Sequence, residues 1–333
     1  MVDADGSPVE GTEPTPFETI AKKGKVAMLV SIIVTSYNYG RFLREAIDSA
    51  LNQTYLETEV VVVDDGSDDE SRSIIESYGE SVVSVFKENG GHSSAINAGF
   101  AVCHGDIVCP LDSDDVFATN KVACVVDAWR SCPEATLVYH QLQTVDAETV
   151  PNGRPWPIAT WQGDIRRKIV HTGGWWPRPT TSGLCFSRSY LERVLPMPTG
   201  LRIWPDTYLA PPAALLGPVL GLNVALGVYR VHGDNTISKY FPESREQSQR
   251  VATGQSQTDQ YLMEHRLLTD CLEQLLDAPP RITLEWHPDM RRAQRAAGFP
   301  VSLWDIALVV AACPSIPPIM KPRYLLTQVL HAI

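Results

Sequence analysis

From residue 28 onward, apolar blocks alternate with amphipathic ones. Met28 to Val34 is a β-branched, apolar run without alternation, which predicts a strand covered on both faces. Phe42, Leu43, Ala46, Ile47, Ala50 and Leu51 then recur at helical spacing and give one apolar stripe. The rhythm repeats. Val60 to Val63 predicts a second strand, and Ile74, Ile75 and Tyr78 mark a second helix, with Ser67 or Asp68 as its expected cap. Val82 to Phe86 predicts a third strand, followed by a helix from about Ser93 to Ala101. Ile107 to Leu111 predicts a fourth strand, and Val122, Val125, Val126 and Trp129 a further helix. Strands and helices alternating at this spacing imply a doubly wound α/β domain with a mostly parallel sheet. Beyond Tyr139 the rhythm breaks: residues 140–180 are rich in Trp, Pro and Gly and read as a long, partly irregular connection. Order returns at Gly183 to Phe186, with helices near Arg188 to Val194 and Thr207 to Leu216, and from about residue 262 the pattern is mostly helical.

Composition narrows the function classes. The chain has 333 residues, 44% hydrophobic and 20% charged, ordinary for a globular protein with a large core. Its net charge of −11, without a basic stripe in the first two thirds, disfavours a nucleic-acid partner. The seven cysteines include no C-x-x-C pair, so neither a disulfide scaffold nor a zinc site is expected. Residues 1–25 are polar, acidic and Pro-rich, expected to form a flexible tail rather than a signal peptide. The apolar run Ile306 to Met320 holds three prolines and is too short to span a membrane, so a cytoplasmic location is expected.

In an open parallel sheet, ligands bind at the carboxyl ends of the strands. Three of the four predicted strands end in polar clusters: Thr35-Ser36-Tyr37-Asn38, Asp64-Asp65-Gly66-Ser67-Asp68-Asp69, and Asp112-Ser113-Asp114-Asp115. Carboxylates crowded on one edge repel one another and invite a bound cation. All-oxygen ligands favour Mg²⁺ or Mn²⁺, ions that share their coordination with substrate phosphates. Any one of these Asp residues could equally cap a helix or shape a turn, as Asp68 and Asp69 are expected to do.

The stretches VSIIVTSYNYGRFLREAIDSALNQTY, EVVVVDDGSDD and GGHSSAINAGFAVCHGDIVCPLDSDD, with the later SGLCFSRSYLERV and YRVHGDNTIS, resemble glycosyltransferase family 2, of GT-A fold. The resemblance spans roughly residues 28–240. It implies a GT-A domain over 26–240, a nucleoside-diphosphate sugar as donor (UDP by family habit), Mg²⁺ or Mn²⁺ as cofactor, and inverting transfer to a hydroxyl of a saccharide or lipid-linked acceptor. On this reading Thr35, Tyr37 and Asn38 sit at the nucleotide base, with Asp65 bonding the base edge and Asp64 supporting the loop. Asp112, Asp114 and Asp115 match the D-x-D region that holds ribose and metal, and His232 falls where such enzymes often bring a further metal or diphosphate ligand.

Family members commonly carry a Glu-Asp pair before a helix in the region of Arg202-Ile203-Trp204-Pro205-Asp206-Thr207. Here Pro205 stands in place of the Glu, and Asp206 is the candidate base, or an N-cap, or both. Five of the eight tryptophans lie between Trp156 and Trp204. Trp175 and Trp176, with Thr181 and Ser182, either wall an acceptor site or fill a core under the long connection. Two other functions fit the bare clusters: a nucleotidyltransferase, disfavoured by the lack of a Gly-rich basic loop after the first strand, and a non-catalytic nucleotide-sugar binder. The remaining 241–333 read as a helical C-terminal region. Its last part, 281–333, carries six Lys or Arg against three acids among apolar, proline-broken helices. That pattern fits either a segment lying peripherally on the inner face of a membrane or one that packs on protein.

Overall fold

The computed structural model describes residues 27–172, 176–199, 201–202, 205–232, 235, 262, 265–266, 269–277 and 279. The apolar runs become β1 (Val30–Ser36), β2 (Thr58–Asp64), β3 (Val83–Phe86) and β4 (Ile107–Asp112). Between them lie α1 (Gly40–Leu51), α2 (Ser71–Glu76) and α3 (His92–Val102). These four strands pair in parallel in the order β3-β2-β1-β4. After β4 come the short β5 (Val116–Phe117), α4 (Lys121–Ser131), β6 (Leu137–Val145), β7 (Gln162–Gly163), α5 (Arg166–His171), β8 (Leu184–Ser187), α6 (Arg188–Val194), α7 (Pro205–Leu216) and β9 (Val219–Arg230). The sheet continues from β4 through β8, β6 and β9 to β5, with β7 also on β9. β6 and β9 are parallel, while β8, β5 and β7 run antiparallel to their neighbours.

The unalternating apolar runs have a direct cause. Ile32 and Val34 of β1 pack with Leu43, Ile47, Val122 and Trp129 on one face. Ile33 between them packs with Ala95 and Ile96 of α3 on the other. Burial on both faces leaves no polar position to alternate with. Six described cysteines are free thiols, and Cys103, Cys109, Cys185 and Cys271 are buried.

Four features depart from the sequence pattern. β6 runs on to Val145, and β9 is a strand of 12 residues that the pattern does not announce. Gly221 and Gly227 lie within β9, and register shifts between His140, Gln141 and Gln143 blur its alternation against β6. Neither Ser67 nor Asp68 caps α2. Ser67 Oγ accepts from the Asn38 amide and the Asp68 amide donates to Asn38 Oδ1, so both tie the first two loops together. Asp69 does the local work instead, accepting from the amides of Ser71 and Gly40. Finally, Cys271 and Leu272 are buried in the same core as Tyr208 and Leu209 of α7, so this part of the C-terminal region packs on the α/β domain. The tail 1–25 and the basic, apolar segment 281–333 lie outside the described residues. Among those described, no helix is long and apolar enough to cross a membrane.

Gly99 sets how closely α3 approaches the sheet: a Cβ there would stand 2.4 Å from Ile33 Cγ2 and 3.2 Å from Val63 Cγ2. Gly99→Ala is therefore expected to destabilise the fold by about 1–3 kcal/mol, the usual scale of overpacking, despite its better helix propensity. Chemical denaturation checks this; an unchanged or raised midpoint contradicts it.

Candidate active site

β1 lies between β2 and β4, all three parallel. The register sets Ser36 opposite Asp64 and Thr35 opposite Asp112. The three polar clusters thereby meet at one carboxyl edge and open on a cleft of about 320 Å³. Thr35, Tyr37, Asp65, Asp112, Asp114, Thr181 and Asp206 all line it. Tyr37 is 47% exposed at its mouth, placed to cover a flat ligand.

Three of the carboxylates are matched by nitrogen groups from elsewhere in the chain. Asp65 is buried; its Oδ1 accepts from Lys87 Nζ at 2.5 Å and from the Gly90 amide, and its Oδ2 from the Gly91 amide at 2.7 Å. It thus clamps the loop between β3 and α3. His92 Nε2 stands 3.0 Å from Asp112 Oδ1, an ion-pair distance although the atoms are not aligned for a hydrogen bond. Burial opposes a charge on His92, but Asp112, aided by Asp206 and Asp114, outweighs it and raises the imidazole's pKa above its ordinary value. Asp114 Oδ2 lies 3.0 Å from both His232 Nε2 and Asn235 Nδ2. Arg41 Nη2 approaches His232 Nδ1 at 3.3 Å, so the proton of a neutral ring belongs on Nε2, donated to Asp114.

Asp206 sits in the first turn of α7, partly buried. Pro205 opens that helix, where its missing N–H costs nothing, and Asp206 follows it, past the capping position. Burial raises the Asp206 pKa; Arg178 opposes this, Asp112 adds to it and His92 opposes it. The net result is a carboxyl above its ordinary value, suited to accepting a proton nearer neutral pH.

Several expected site residues are placed otherwise. Asn38 has φ of 57°, a left-handed conformation Asn tolerates, and spends its side chain on Asp68 rather than on the cleft. Asp64 does not reach the cleft either; its Oδ1 accepts from the Ser67 amide. Asp115 is 1% exposed and turned inward, accepting from the Arg230 amide. Burial, then the charges of Asp114 and Asp112, push its carboxyl well above the usual range. Asp115 does not line the cleft, and its bond from the Arg230 amide makes it a support beneath the cleft rather than the metal ligand its sequence position suggests. Ser182 is likewise a brace: its Oγ accepts from the Asp112 amide and its carbonyl from the buried Lys121 Nζ. Trp176 is 2% exposed and meets Tyr139 edge-on at 4.9 Å, a core residue rather than an acceptor wall. Trp175 lies outside the described residues.

Sequence reasoning missed His92, Lys87, Asn235, Arg178 and Arg230. Arg230 donates from Nε to the Asp114 carbonyl, from Nη1 to Ala147 and from Nη2 to Glu45, fixing the D-x-D loop from below. None of these five has a spacing that points to the cleft: Lys87 follows β3, His92 opens α3, Arg178 lies in the segment before β8, and Arg230 and Asn235 come from the end of β9 and just beyond it. Among the described residues, no three His, Cys, Asp or Glu side chains form a complete metal cage.

The profile of Glycosyl transferase family 2 matches residues 31–195. An uncharacterized glycosyltransferase from Nostoc sp. (strain PCC 7120) is 36% identical over 245 residues, covering 71% of this chain and 74% of its own. This chain belongs to glycosyl transferase family 2. It is also 46% identical to an uncharacterized glycosyltransferase of Rickettsia prowazekii, over 30% of this chain and 32% of that one. Chondroitin synthase of Escherichia coli is 33% identical over 43% of this chain and 22% of its own. Among solved structures, S. aureus TarS 1–349 in complex with UDP-GlcNAc superposes with a TM-score of 0.53 at 17% identity, covering 92% of this chain and 88% of that one. Mannosyltransferase PcManGT from Pyrobaculum calidifontis, in complex with GDP-Man and Mn²⁺, gives 0.51 at 21% identity, over 92% and 80%. The fold is GT-A, and the chain is a glycosyltransferase.

Gly91 joins two walls of this cleft. Its φ is +91°, and a Cβ there would stand 2.5 Å from the Arg202 carbonyl oxygen, which accepts from the His92 amide. Gly153 has a similar φ of +88° but open space around it. Both Gly→Ala changes carry backbone strain of about 1–3 kcal/mol; Gly91→Ala is expected to lose more stability and most of its transfer activity, Gly153→Ala to keep activity. Thermal melts and nucleoside diphosphate release compare the two, and equal behaviour contradicts the packing role.

Proposed function

We propose that the chain is an inverting, metal-assisted glycosyltransferase that moves a sugar from a nucleoside-diphosphate sugar, UDP being the favoured nucleotide, to a hydroxyl of a saccharide or lipid-linked acceptor. The observation that carries this reading is the single cleft in which Asp65, Asp112 and Asp114 each meet a basic partner while Asp206 faces them from α7. Residues 26–240 supply every group it uses.

Thr35 and Tyr37 bound the nucleotide base, Tyr37 through its exposed ring. Asp65 accepts three hydrogen bonds already. A carboxylate offers about four acceptor positions, so one is left for a base N–H. Asp112 is placed for the ribose hydroxyls. Asp114 would hold Mg²⁺ or Mn²⁺ through its carboxylate, the donor such ions prefer, and His232 could join it only where the ion takes the place of the proton between Nε2 and Asp114; the incomplete cage leaves positions for phosphate oxygens. When bound, the ion offsets the charge of the diphosphate leaving group. A structural neighbour, PcManGT, was solved with GDP-Man and Mn²⁺, which supports a nucleotide-sugar donor and a divalent ion.

Asp206 performs the proton transfer. It takes the proton of the acceptor hydroxyl as that oxygen forms a bond to the anomeric carbon. The bond from that carbon to the diphosphate oxygen breaks with its electron pair leaving on the diphosphate. One displacement from the opposite face inverts the configuration. The raised pKa of Asp206 makes it a better base, and its charged form is lost as pH falls through that raised value.

Asp206→Asn is expected to bind donor normally and to lose on the order of a hundredfold in transfer. Transfer by this variant near the wild-type rate would remove Asp206 from the mechanism. Calorimetric titration with UDP and with GDP, first with chelator and then with Mn²⁺, tests the metal. Binding is expected only with metal, and equal affinity in both conditions contradicts it.

A further inference from the structure

Among the basic side chains that line the cleft, His92 stands against Asp112, whereas Arg202 is exposed and has no carboxylate partner among the described residues. Its Nη2 donates instead to the neutral Asn89 Oδ1. We propose that Arg202 reads the nucleobase beside Asp65. The two present a donor next to an acceptor, a pair that fits the N–H and carbonyl edge of a keto base and rejects an amino base. This rests on the proposed function, in which the cleft takes a nucleoside-diphosphate sugar with its base at Asp65.

The chain fixes Arg202 at the Asp65 end of the cleft. Its carbonyl accepts from the His92 amide at 2.7 Å, and its Cα lies so near Gly91 that a Cβ there would stand 2.9 Å away. Gly91 in turn donates to Asp65 Oδ2 at 2.7 Å. Asn89, which holds the guanidinium, packs on the turn that follows Asp65: a Cβ on Gly66 would stand 2.8 Å from the Asn89 amide nitrogen. The strand order β3-β2-β1-β4 sets Asn89 beyond Asp65, since they follow β3 and β2, while Asp114 follows β4 on the far side. Three strand spacings amount to about 14 Å. The guanidinium is thus held beside the Asp65 turn, away from the carboxylate proposed to hold the metal and its diphosphate.

Asp65 has one acceptor position left. Lys87 and Gly90 occupy Oδ1 and Gly91 takes one side of Oδ2, so the open position is on Oδ2. Uracil and guanine each set a ring N–H beside a carbonyl oxygen. Their N–H goes to Asp65, and the carbonyl then needs a donor next to it. Lys87 is spent on Asp65 and on the Glu88 carbonyl. Arg202 carries several N–H donors, and Asn89 takes only one of them. Cytosine and adenine carry the opposite pattern, a ring-nitrogen lone pair beside an amino group. They would set the lone pair against the carboxylate and the amino hydrogens against the guanidinium. A site built to hydrogen-bond one pattern rejects the other strongly.

The test is calorimetric titration of the full-length protein, with Mn²⁺ present, against two matched pairs, UDP with CDP and GDP with ADP, read on whichever pair binds more tightly. The wild type is expected to prefer the keto member by about tenfold or more. Arg202→Ala is expected to weaken the keto member about tenfold while the amino member stays within about twofold, so most of the preference is lost. Arg202→Lys is expected to keep part of it. Arg202→Met retains the stem beside Gly91 and serves if the Ala variant does not fold. An unchanged preference overturns the proposal, whether both members weaken alike, as for a phosphate contact, or neither does. A wild type that binds both members equally overturns it too. The two readings fail differently: nucleotide binding that ignores Arg202 removes this inference alone. If no nucleoside diphosphate binds with metal, the proposed function falls and takes this inference with it.

Discussion

Like charge gathered at one sheet edge is the constraint on which the rest of this molecule depends. Two carboxylates about 4 Å apart repel by roughly 4 kcal/mol at the effective dielectric of a protein surface. A cleft lined by Asp65, Asp112, Asp114 and Asp206 is therefore untenable without opposing groups. The chain supplies them from segments remote in sequence: Lys87 follows β3, His92 opens α3, and His232 follows β9. Each match ties two loops together, so balancing the charge and shaping the cleft are one operation.

A second layer holds the first in place. Arg230 at the end of β9 reaches under the D-x-D loop to the Asp114 carbonyl, while its own amide donates to Asp115. Lys121, buried beneath, holds the Ser182 carbonyl, and Ser182 Oγ receives the Asp112 amide. Burial pushes the Lys121 pKa down even as Asp115 and nearby cysteines push it up. These groups beneath the cleft hold the backbone of the D-x-D loop and of Ser182, while the side chains of Asp112 and Asp114 line the cleft. Asp115 looks like a third ligand in sequence and is part of this lower layer in space.

The alternation of apolar runs and amphipathic helices up to α4 was legible because both faces of β1, β2 and β4 are buried, which leaves an unmistakable pattern. The polar strand ends were legible for the complementary reason: only a ligand edge tolerates so many carboxylates. What lay hidden was direction. Nothing in Asp112-Ser113-Asp114-Asp115 says that the third carboxylate turns inward, because that depends on Arg230, over a hundred residues later. Trp176 and the wall-forming aromatics one would expect at a sugar site share a composition, and only its packing on Tyr139 separates them. β9 escaped notice because its glycines and irregular register against β6 erase the period of two. With β9 unseen, the roles of Arg230 and Asn235 could not be anticipated.

Asp65, Asp112 and Asp114 are engaged with their partners, and the proposed function gives the remaining cleft carboxylate, Asp206, to the acceptor. On the proposed reading Asp206 acts as the one base, which implies a single displacement and hence inversion. The anomeric configuration of the product decides this most directly. Proton NMR of the new glycosidic linkage, formed from an α-linked nucleotide sugar, should show the large coupling of a β-linkage for a gluco-configured sugar. An α-linked product, with configuration retained, would contradict the single displacement and require a second nucleophile in the cleft.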